Sequence, residues 1–248
     1  MSGFKSRLKT RVAQSFEKAG LTVTGYGHAN CLRELLKARK IETTFDIGAN
    51  VGQYAEWLRG VVGYRGQIIS VEPSSAAHQQ LSQKAAGDPA WTVATRCAVG
   101  SAPGEATLNV SGNSVSSSIL PITEGLGRMV DAARAVQTEV VPVRTMADLH
   151  REYGSKGRPA FLKVDTQGFE RAVIDGIGDD WDTWPVVQLE LSVVALYRGE
   201  TGFTDMLQLM ESRGYQVHGL FPSFWTNPEY RLIQADCLFV RGAAENNV

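Results

Sequence analysis

An acidic residue, two glycines and an asparagine follow a short β-prone segment early in the chain. Thr43-Thr44-Phe45 leads into Asp46-Ile47-Gly48-Ala49-Asn50-Val51-Gly52, and an amphipathic helical pattern follows. Glycine permits a tight turn and lets a ligand approach backbone that carries no Cβ atom. Glu72 ends the next apolar segment, where a carboxylate can accept hydrogen bonds from both ribose hydroxyls of a nucleoside. These residues predict a nucleoside-cofactor site at the carboxyl edge of a parallel sheet.

The glycine spacing separates two classes of nucleoside cofactor. The dinucleotide fingerprint is G-x-G-x-x-G. If it started at Gly48, it would require glycine at positions 50 and 53, where this chain has Asn50 and Gln53. That fingerprint binds a pyrophosphate through backbone amides, whereas S-adenosylmethionine carries an ammonium, a carboxylate and a sulfonium. Asp46 can face the ammonium, and the glycine turn can pass close to the methionine part. The pattern favours S-adenosylmethionine over NAD; the third interpretation is a turn that only packs a helix on a strand.

The other positions expected to contact the cofactor lie at or near the same strand ends. Cys97 and Ala98, at the end of a third apolar segment, would lie along adenine and supply backbone hydrogen bonds and an apolar face. The complete predicted cofactor-binding set is Asp46, Gly48, Asn50, Gly52, Tyr54, Glu72, Pro73, Ser74, Cys97, Ala98 and Asp165.

Three acids are candidates for the catalytic step. Methyl transfer to an alcohol requires the acceptor oxygen to lose its proton, so a base or a metal ion should help. Asp165 is expected at the tip of the fourth parallel strand and Glu190 near the end of the fifth. Glu170, one helical turn beyond Asp165, could act as acid or base or could instead cap or pair. A magnesium ion shared by Asp165 and Glu190 is conceivable, but no complete ligand set is evident, and we expect a metal-free base.

Residues for the acceptor are harder to assign. His28, in a glycine-rich segment, could sit on a lid, and His218, within a strand pattern, is expected to be structural. Candidate acceptor contacts are Ser116 to Ser118, Trp225, Tyr230 and the Phe221-Pro222 stretch.

The elements that must position these residues alternate between strand and helix patterns. The expected parallel strands are 43–47, 67–71, 91–99, 160–164 and 186–191, and two final strands are expected at 215–221 and 237–241. Helices are expected over 30–41, capped by Asn30, and after Gly52, Ser74 or Ser75, Thr145, Phe169 and around 203–210. Alternation of this kind predicts a mostly parallel sheet with helices on both faces. Two final strands without a helix between them predict an antiparallel hairpin at one edge.

Composition limits the class of protein. The 248 residues suit one α/β domain, and 43% hydrophobic with 21% charged residues is typical of a soluble globular protein. A formal net charge of -1 without a long basic run argues against a nucleic-acid partner. No segment is long enough to span a bilayer, and Cys31, Cys97 and Cys237 form neither a disulfide framework nor a zinc pattern, so a cytoplasmic protein is expected.

The ordered set of motifs resembles the FkbM-type methyltransferase family. The residues that carry the resemblance are DIGANVGQYA at 46–55, VEP at 71–73, CAVG at 97–100, SSS at 116–118, LKVDTQGFE at 162–170, LELS at 189–192 and DCLFVR at 236–241. Together they extend over roughly 43–241. Thr166-Gln167 departs from the Val-Glu or Val-Gln more usual in the family, but Asp165 and Glu170 remain in place.

The resemblance implies a class I, Rossmann-like methyltransferase fold with a seven-stranded sheet. It also implies S-adenosylmethionine-dependent O-methylation of a hydroxyl on a sugar, glycolipid or polyketide-type natural product. The expected organisation is a helical segment at 1–42, which could act as a lid, and a cofactor-binding domain at 43–248 with an excursion at about 101–144. Two alternatives stay open: a nucleotide-dependent oxidoreductase, and a catalytically silent cofactor-binding subunit. Asn50 and Gln53 disfavour the first, and retention of the acids at 46, 72, 165 and 170 disfavours the second.

Overall fold

Seven strands form the central sheet of the computed structural model, which describes residues 27–154, 157–226 and 229–242. Their spatial order is β3-β2-β1-β7-β8-β10-β9. The strands are β1 (Thr43–Ile47), β2 (Gln67–Val71), β3 (Trp91–Val93), β7 (Ala160–Val164), β8 (Val186–Ser192), β9 (Tyr215–Trp225) and β10 (Leu232–Arg241). The first five pair in parallel, and β10 is antiparallel to both β8 and β9. The predicted seven-stranded, mostly parallel sheet with a C-terminal hairpin is therefore confirmed.

The strand order places a topological switch between β1 and β7. The chain moves outward from β1 through β2 to β3, and later returns to start the other half of the sheet at β7. Ligands bind at such a switch because the connections leave in opposite directions and open a crevice at the carboxyl ends of the strands. The β1 and β7 ends are joined there by a hydrogen bond from the Asp165 amide to the Ile47 carbonyl at 3.0 Å.

Helices cover both faces of the sheet. They are α1 (His28–Ala38), α2 (Gln53–Trp57, continued by a π-helical turn at Leu58–Val62), α3 (Ser75–Ala85), α4 (Glu124–Met129), α5 (Met146–Tyr153), α6 (Glu170–Asp175) and α7 (Phe203–Ser212). One core cluster packs residues of α5, α6 and α7 on the sheet, and a second packs residues of α1, α2 and α3. The alternation of apolar residues between the two faces of each strand supplies both cores.

A second, three-stranded sheet corrects one prediction. The segment expected to form a single strand over 91–99 is divided into β3 and a short β4 (Ala98–Val99). β4 leaves the main sheet and pairs with β6 (Ala135–Arg144), which also pairs with β5 (Gly104–Ser111). Both halves of the segment contain buried apolar residues, namely Trp91 and Ala94 in the first and Cys97, Ala98 and Val99 in the second, although β3 and β4 belong to different sheets.

The ends of several elements differ from the predictions by a few residues. Helix α1 begins at His28 with Gly27 as its N-cap, so Asn30 lies inside the helix and does not cap it. Thr145 does cap α5, since its side chain accepts a hydrogen bond from the Asp148 amide. The final hairpin is longer than expected at both strands. Most of the predicted helical segment 1–42 lies outside the described residues.

Cys31, Cys97 and Cys237 are free thiols. Among the helices that the structure describes, none has the length and apolarity required to cross a lipid bilayer.

Candidate functional site

A cavity of about 360 Å³, called here the first cavity, opens at the switch point. Its lining comes from the ends of β1, β2 and β7, from β4, from β8 and β10, and from the 114–119 segment. Of the predicted site residues, the lining includes Gly48, Asn50, Tyr54, Glu72, Pro73, Cys97, Ala98, Asp165 and Glu190. Asp46, Gly52, Ser74 and Glu170 are not part of it.

The turn between β1 and α2 has a conformation that its sequence requires. Gly48 and Gly52 have φ angles of +77° and +91°, and Asn50 between them has a φ of +47°. A Cβ atom on Gly48 would lie 1.8 Å from the Asp165 carbonyl oxygen. Glycine at this position therefore permits both the left-handed conformation and the close approach of β1 to β7. The amides of Gly48 and Ala49 donate to the Val71 carbonyl, which fixes the turn against β2.

Glu72 is held at the floor of the first cavity. Its side chain is buried, and its two carboxylate oxygens accept hydrogen bonds from the amides of Asn50 and Ser74, each at 2.8 Å. Burial raises the pKa of Glu72 to about 7, against the lowering effect of these two amide donors. Each carboxylate oxygen has a further lone pair, so a ligand hydroxyl can still donate to it.

Asn50 supplies an unsatisfied acceptor. Its side-chain oxygen is buried and has no hydrogen-bond partner. An unpaired buried carbonyl is unfavourable, so a ligand with a hydroxyl or ammonium donor would satisfy it. The same cavity is lined by apolar residues suited to a planar base, namely Cys97, Ala98, Val99, Leu108 and Ile119. This combination of polar acceptors and apolar side chains fits a nucleoside cofactor.

Asp46 lies below the turn, outside the cavity lining. It is fully buried, and its Oδ1 atom lies 3.0 Å from Nζ of Lys163. Lys163, which does line the first cavity, also approaches Asp165 at 3.5 Å. Burial would lower the pKa of the Lys163 ammonium, but the charges of Asp46 and Asp165 outweigh burial and raise it. Asp46 can therefore act on a ligand through Lys163 rather than by direct contact.

Asp165 and Glu190 lie together at the inner end of the first cavity. The Nε2 atom of Gln167 donates to both carboxylates, at 2.7 Å each. The hydroxyl of Tyr197 donates to the other end of the Gln167 amide, also at 2.7 Å. Burial, followed by the charges of Asp165 and Asp236, raises the pKa of Glu190 well above its ordinary value. The pair thus combines a carboxylate beside a lysine with a carboxyl group that readily holds a proton.

Glu170 has a structural position. Its Oε1 atom accepts hydrogen bonds from the amides of Thr166 and Gly168 and from the Thr166 hydroxyl. These bonds hold the turn that carries Asp165 and Gln167 at the end of β7. Burial raises the pKa of Glu170 to about 7. Its carboxylate is used inside the turn and does not line the first cavity.

A polar network on β8 and β10 lies next to the acids. The Oε1 atom of Gln188 accepts from the Tyr54 hydroxyl at 2.9 Å and lies 3.0 Å from Nε2 of His28. The Nε2 atom of the Gln188 side chain donates to the carboxylate of Asp236. Asp236 lines the first cavity and is the partner of Glu190 in the β10–β8 register. The His28 ring stacks on Phe221 at 4.3 Å.

Sequence reasoning gave no role to Lys163, Gln167 or Asp236. The available signal was a charged or polar residue inside an otherwise apolar strand, as at Lys163 and Asp236. The position of Gln167 depends on its φ of +58°, which no simple pattern in the sequence predicts.

Several predicted acceptor residues have different outcomes. Ser117 and Ser118 line the first cavity, while Phe221 packs against His28. His218, Trp225 and Tyr230 are exposed and line no cavity described here. Within the described ranges, no three His, Cys, Asp or Glu side chains are grouped as ligands for a metal ion.

A family model and several solved structures match this chain. The family model for the FkbM methyltransferase domain matches residues 46–217. A search of curated protein sequences finds no match. Among solved structures, an FkbM methyltransferase from Methylobacillus flagellatus is 19% identical with a TM-score of 0.50. The alignment covers 81% of this chain but only 43% of that one, so this chain spans less than half of its length.

Two further structures have lower scores. An rRNA methylase from Streptococcus thermophilus is 9% identical over 88% of this chain and 99% of its own, with a TM-score of 0.47. Fibrillarin from Aeropyrum pernix, solved with natively bound S-adenosyl-L-methionine, is 12% identical over 86% of this chain and 73% of its own, also with a TM-score of 0.47.

The strand order, the glycine turn beside Glu72 and a family match that extends from Asp46 in β1 to the start of β9 lead to one assignment. The protein has the class I methyltransferase fold and belongs to the FkbM methyltransferase family.

Proposed function

We propose that the protein is an S-adenosylmethionine-dependent O-methyltransferase that acts on a hydroxyl of a sugar, glycolipid or polyketide-type natural product. One observation carries the proposal: a single cavity joins the glycine turn and Glu72 to the Asp165–Glu190 pair. The first part fits a nucleoside cofactor, and the second can receive a proton. An enzyme that methylates hydroxyl groups needs both in one enclosed space.

The cofactor's polar groups would be held by the turn and its neighbours. Glu72 would accept from the ribose hydroxyls, and the unpaired side-chain oxygen of Asn50 would accept from a second donor. Cys97 and Ala98 would pack along adenine, while Tyr54 and Pro73 complete the lining. Asp46, Gly52 and Ser74 support this site from outside the cavity.

Glu190 is the group that we assign as the proton acceptor. When bound, S-adenosylmethionine supplies a methyl group whose bond to sulfur breaks as the acceptor oxygen bonds to its carbon, leaving S-adenosylhomocysteine. The hydroxyl proton goes to the Glu190 carboxylate, which has a raised pKa and is therefore a stronger base than an ordinary glutamate. Asp165, bridged to Glu190 by Gln167, would orient the acceptor hydroxyl. Glu170 has a positioning role in the turn, and no metal ion is required by this scheme.

Binding of two cofactors tests the proposal. Calorimetric titration with S-adenosylhomocysteine should give micromolar affinity, and titration with NADH should give no heat of binding. Hydroxylated sugars, glycolipids and polyketides are then screened with S-adenosylmethionine for a mass gain of one methyl group. Binding of NADH alone would favour an oxidoreductase, and binding of neither would favour a glycine turn that only packs a helix on a strand. Binding of S-adenosylhomocysteine without methyl transfer to any acceptor would favour a silent cofactor-binding subunit.

A further inference from the structure

A second cavity of about 270 Å³ adjoins the first. Asp165, Gln167, Glu190 and Val115 line both cavities. The acid pair therefore forms a shared wall, and of the predicted cofactor contacts only Asp165 also lines the second cavity. A compound in the second cavity could present a hydroxyl to Glu190 without entering the space that fits the nucleoside.

Parts of the chain that do not line the first cavity complete the second one. Leu126 and Val130 come from α4 and its C-terminal end, Leu196 from the segment after β8, and Phe224 from the end of β9. These side chains belong to a third hydrophobic cluster that is separate from the two main cores. The lining of the second cavity thus contains apolar side chains as well as the acid pair.

Tyr197 holds the shared wall in place. Its hydroxyl donates to the side chain of Gln167 at 2.7 Å and lies 3.3 Å from the Ser116 carbonyl. Glycine at position 168 brings this turn against the tyrosine, because a Cβ atom there would lie 2.8 Å from Cβ of Tyr197. The boundary between the two cavities is therefore fixed by the fold and not by a bound ligand.

The charges of the lining restrict what the second cavity can bind. Its described lining residues include the acids Asp165 and Glu190 and no lysine, arginine or histidine. Lys163 is paired with Asp46 and Asp165 on the first-cavity side. An anionic compound would lose hydration beside two carboxyl groups and gain no cationic partner. The remaining polar side chains of the lining are neutral, namely Asn113, Ser116, Gln167, Tyr197 and Gln234.

We infer that the second cavity is the acceptor pocket and that it takes an uncharged amphiphile. Its hydroxyl lies at the shared wall beside Glu190, and its apolar part packs against Leu126, Val130, Leu196 and Phe224. The inference rests on the proposed function and narrows its acceptor class: free sugars lack the apolar part, and phosphorylated or carboxylated compounds are repelled by the acids.

Fluorescence of the neutral apolar probe N-phenyl-1-naphthylamine tests this assignment in the full chain saturated with S-adenosylhomocysteine. The compared variants are Val130→Trp, which fills the second cavity, and Val136→Trp, the same change at a residue that is 70% exposed. We expect Val130→Trp to weaken probe binding by about tenfold or more and to leave the affinity for S-adenosylhomocysteine unchanged. Val136→Trp should change neither affinity. Equal probe affinity in both variants, or complete displacement of the probe by S-adenosylhomocysteine, would overturn the inference.

Competition with the same probe tests the acceptor class. n-Octyl β-D-glucoside below its micellar concentration should displace the probe, whereas methyl β-D-glucoside and octyl phosphate should not. Displacement by octyl phosphate or methyl glucoside at similar concentrations would contradict the uncharged amphiphile. Failure of wild-type protein to bind S-adenosylhomocysteine would reject the proposed function itself. That binding is measured by calorimetry, independently of the probe fluorescence.

Discussion

At the scale of single residues, Glu72 shows how folding and ligand binding use the same carboxylate. Its two backbone hydrogen bonds join the β1–α2 turn to the residue that follows Pro73. Removing the side chain would therefore disturb the turn as well as the ligand contact. Glutamine keeps the size and removes the charge, so it separates the two roles better than alanine does.

Glu72→Gln should weaken binding of S-adenosylhomocysteine by about 10- to 100-fold, the effect of losing charge-assisted hydrogen bonds worth about 1.5–3 kcal/mol. The wild-type affinity should also fall as the pH is lowered through about 7, because the carboxylate becomes protonated and loses acceptor capacity. Calorimetry at several pH values measures both effects. Glu56→Gln is the control, since Glu56 is half-exposed and forms an ion pair with Lys84 at the surface. Equal affinities for both variants would remove Glu72 from the ribose site.

Lys163→Met should destabilise the protein by about 3–5 kcal/mol, because it leaves the buried carboxylate of Asp46 without its partner. Urea unfolding followed by circular dichroism gives the free energy of unfolding. Lys84→Met removes a lysine from an ion pair at the surface and should cost only about 0.2–1 kcal/mol. Similar losses in the two variants would show that the Asp46–Lys163 pair is not an essential part of the core.

Glu190→Gln should reduce kcat by about 10²- to 10⁴-fold, the usual contribution of a positioned base, and leave binding of S-adenosylhomocysteine unchanged. The rate of methyl transfer to an acceptor found in the screen provides the measurement. The base must be unprotonated, and the pKa of Glu190 is raised by burial and by Asp165 and Asp236. As the pH is lowered, wild-type activity should therefore begin to fall at a higher pH than it would if the base were a glutamate with an ordinary pKa. Full activity of the variant would transfer the base role to another residue.

At the scale of elements, the β1–α2 turn positions both sides of the first cavity. Gly48 touches the backbone of Asp165, so the nucleoside end and the proton-accepting end are joined by one close contact. Gly63, at the end of the π-helical turn, has nearly the same φ, +78°, but a Cβ atom there would meet nothing within 4 Å. Replacing each glycine by alanine therefore separates two effects: both variants have the strain of a left-handed alanine, but the Cβ atom overlaps with neighbouring backbone at position 48 and not at position 63.

Gly63→Ala should cost about 1–2 kcal/mol of unfolding free energy, the strain of a left-handed alanine. Gly48→Ala should cost about 3–5 kcal/mol, because β1 and β7 must also move apart. Denaturant unfolding of the two variants under identical conditions makes the comparison. Equal losses would show that the β1–β7 contact can relax without cost.

The sequence was sufficient for the elements whose residues follow a regular period. Runs of apolar residues predicted β1, β2, β7 and β8 within one residue of their observed ends. The division of 91–99 between two sheets could not be predicted, because burial produces the same residue types in either sheet. The same limit applies to the site: Asp165 and Glu190 follow from strand ends, whereas the Gln167 bridge depends on tertiary geometry.

At the scale of the whole molecule, the two cavities share Val115, Asp165, Gln167 and Glu190 and are otherwise lined by different residues. The first lies at the switch point of the central sheet, and the second is closed by the segment between β5 and β6 that contains α4 and by the final hairpin. With this division, residues that line only the acceptor pocket can be substituted without altering the residues of the cofactor site. The division also explains why acceptor residues were the least predictable, since they lie on connections with weak periodicity.

Ligand binding should stabilise the whole molecule, because the cofactor site joins β1, β2, β4 and β7. A ligand present at about 100 times its Kd adds about 2.7 kcal/mol to the free energy of unfolding. For a chain of this length that corresponds to a rise in Tm of about 5–10 °C. Thermal unfolding with S-adenosylhomocysteine should show this rise, and with NADH at the same concentration the Tm should not change. Glu72→Gln, which binds S-adenosylhomocysteine more weakly, should show a smaller rise at the same ligand concentration, while Glu56→Gln should match the wild type. An equal rise with NADH would contradict the cofactor assignment and favour a dinucleotide. Such a result would be unexpected, because Asn50 and Gln53 replace two glycines of the dinucleotide pattern.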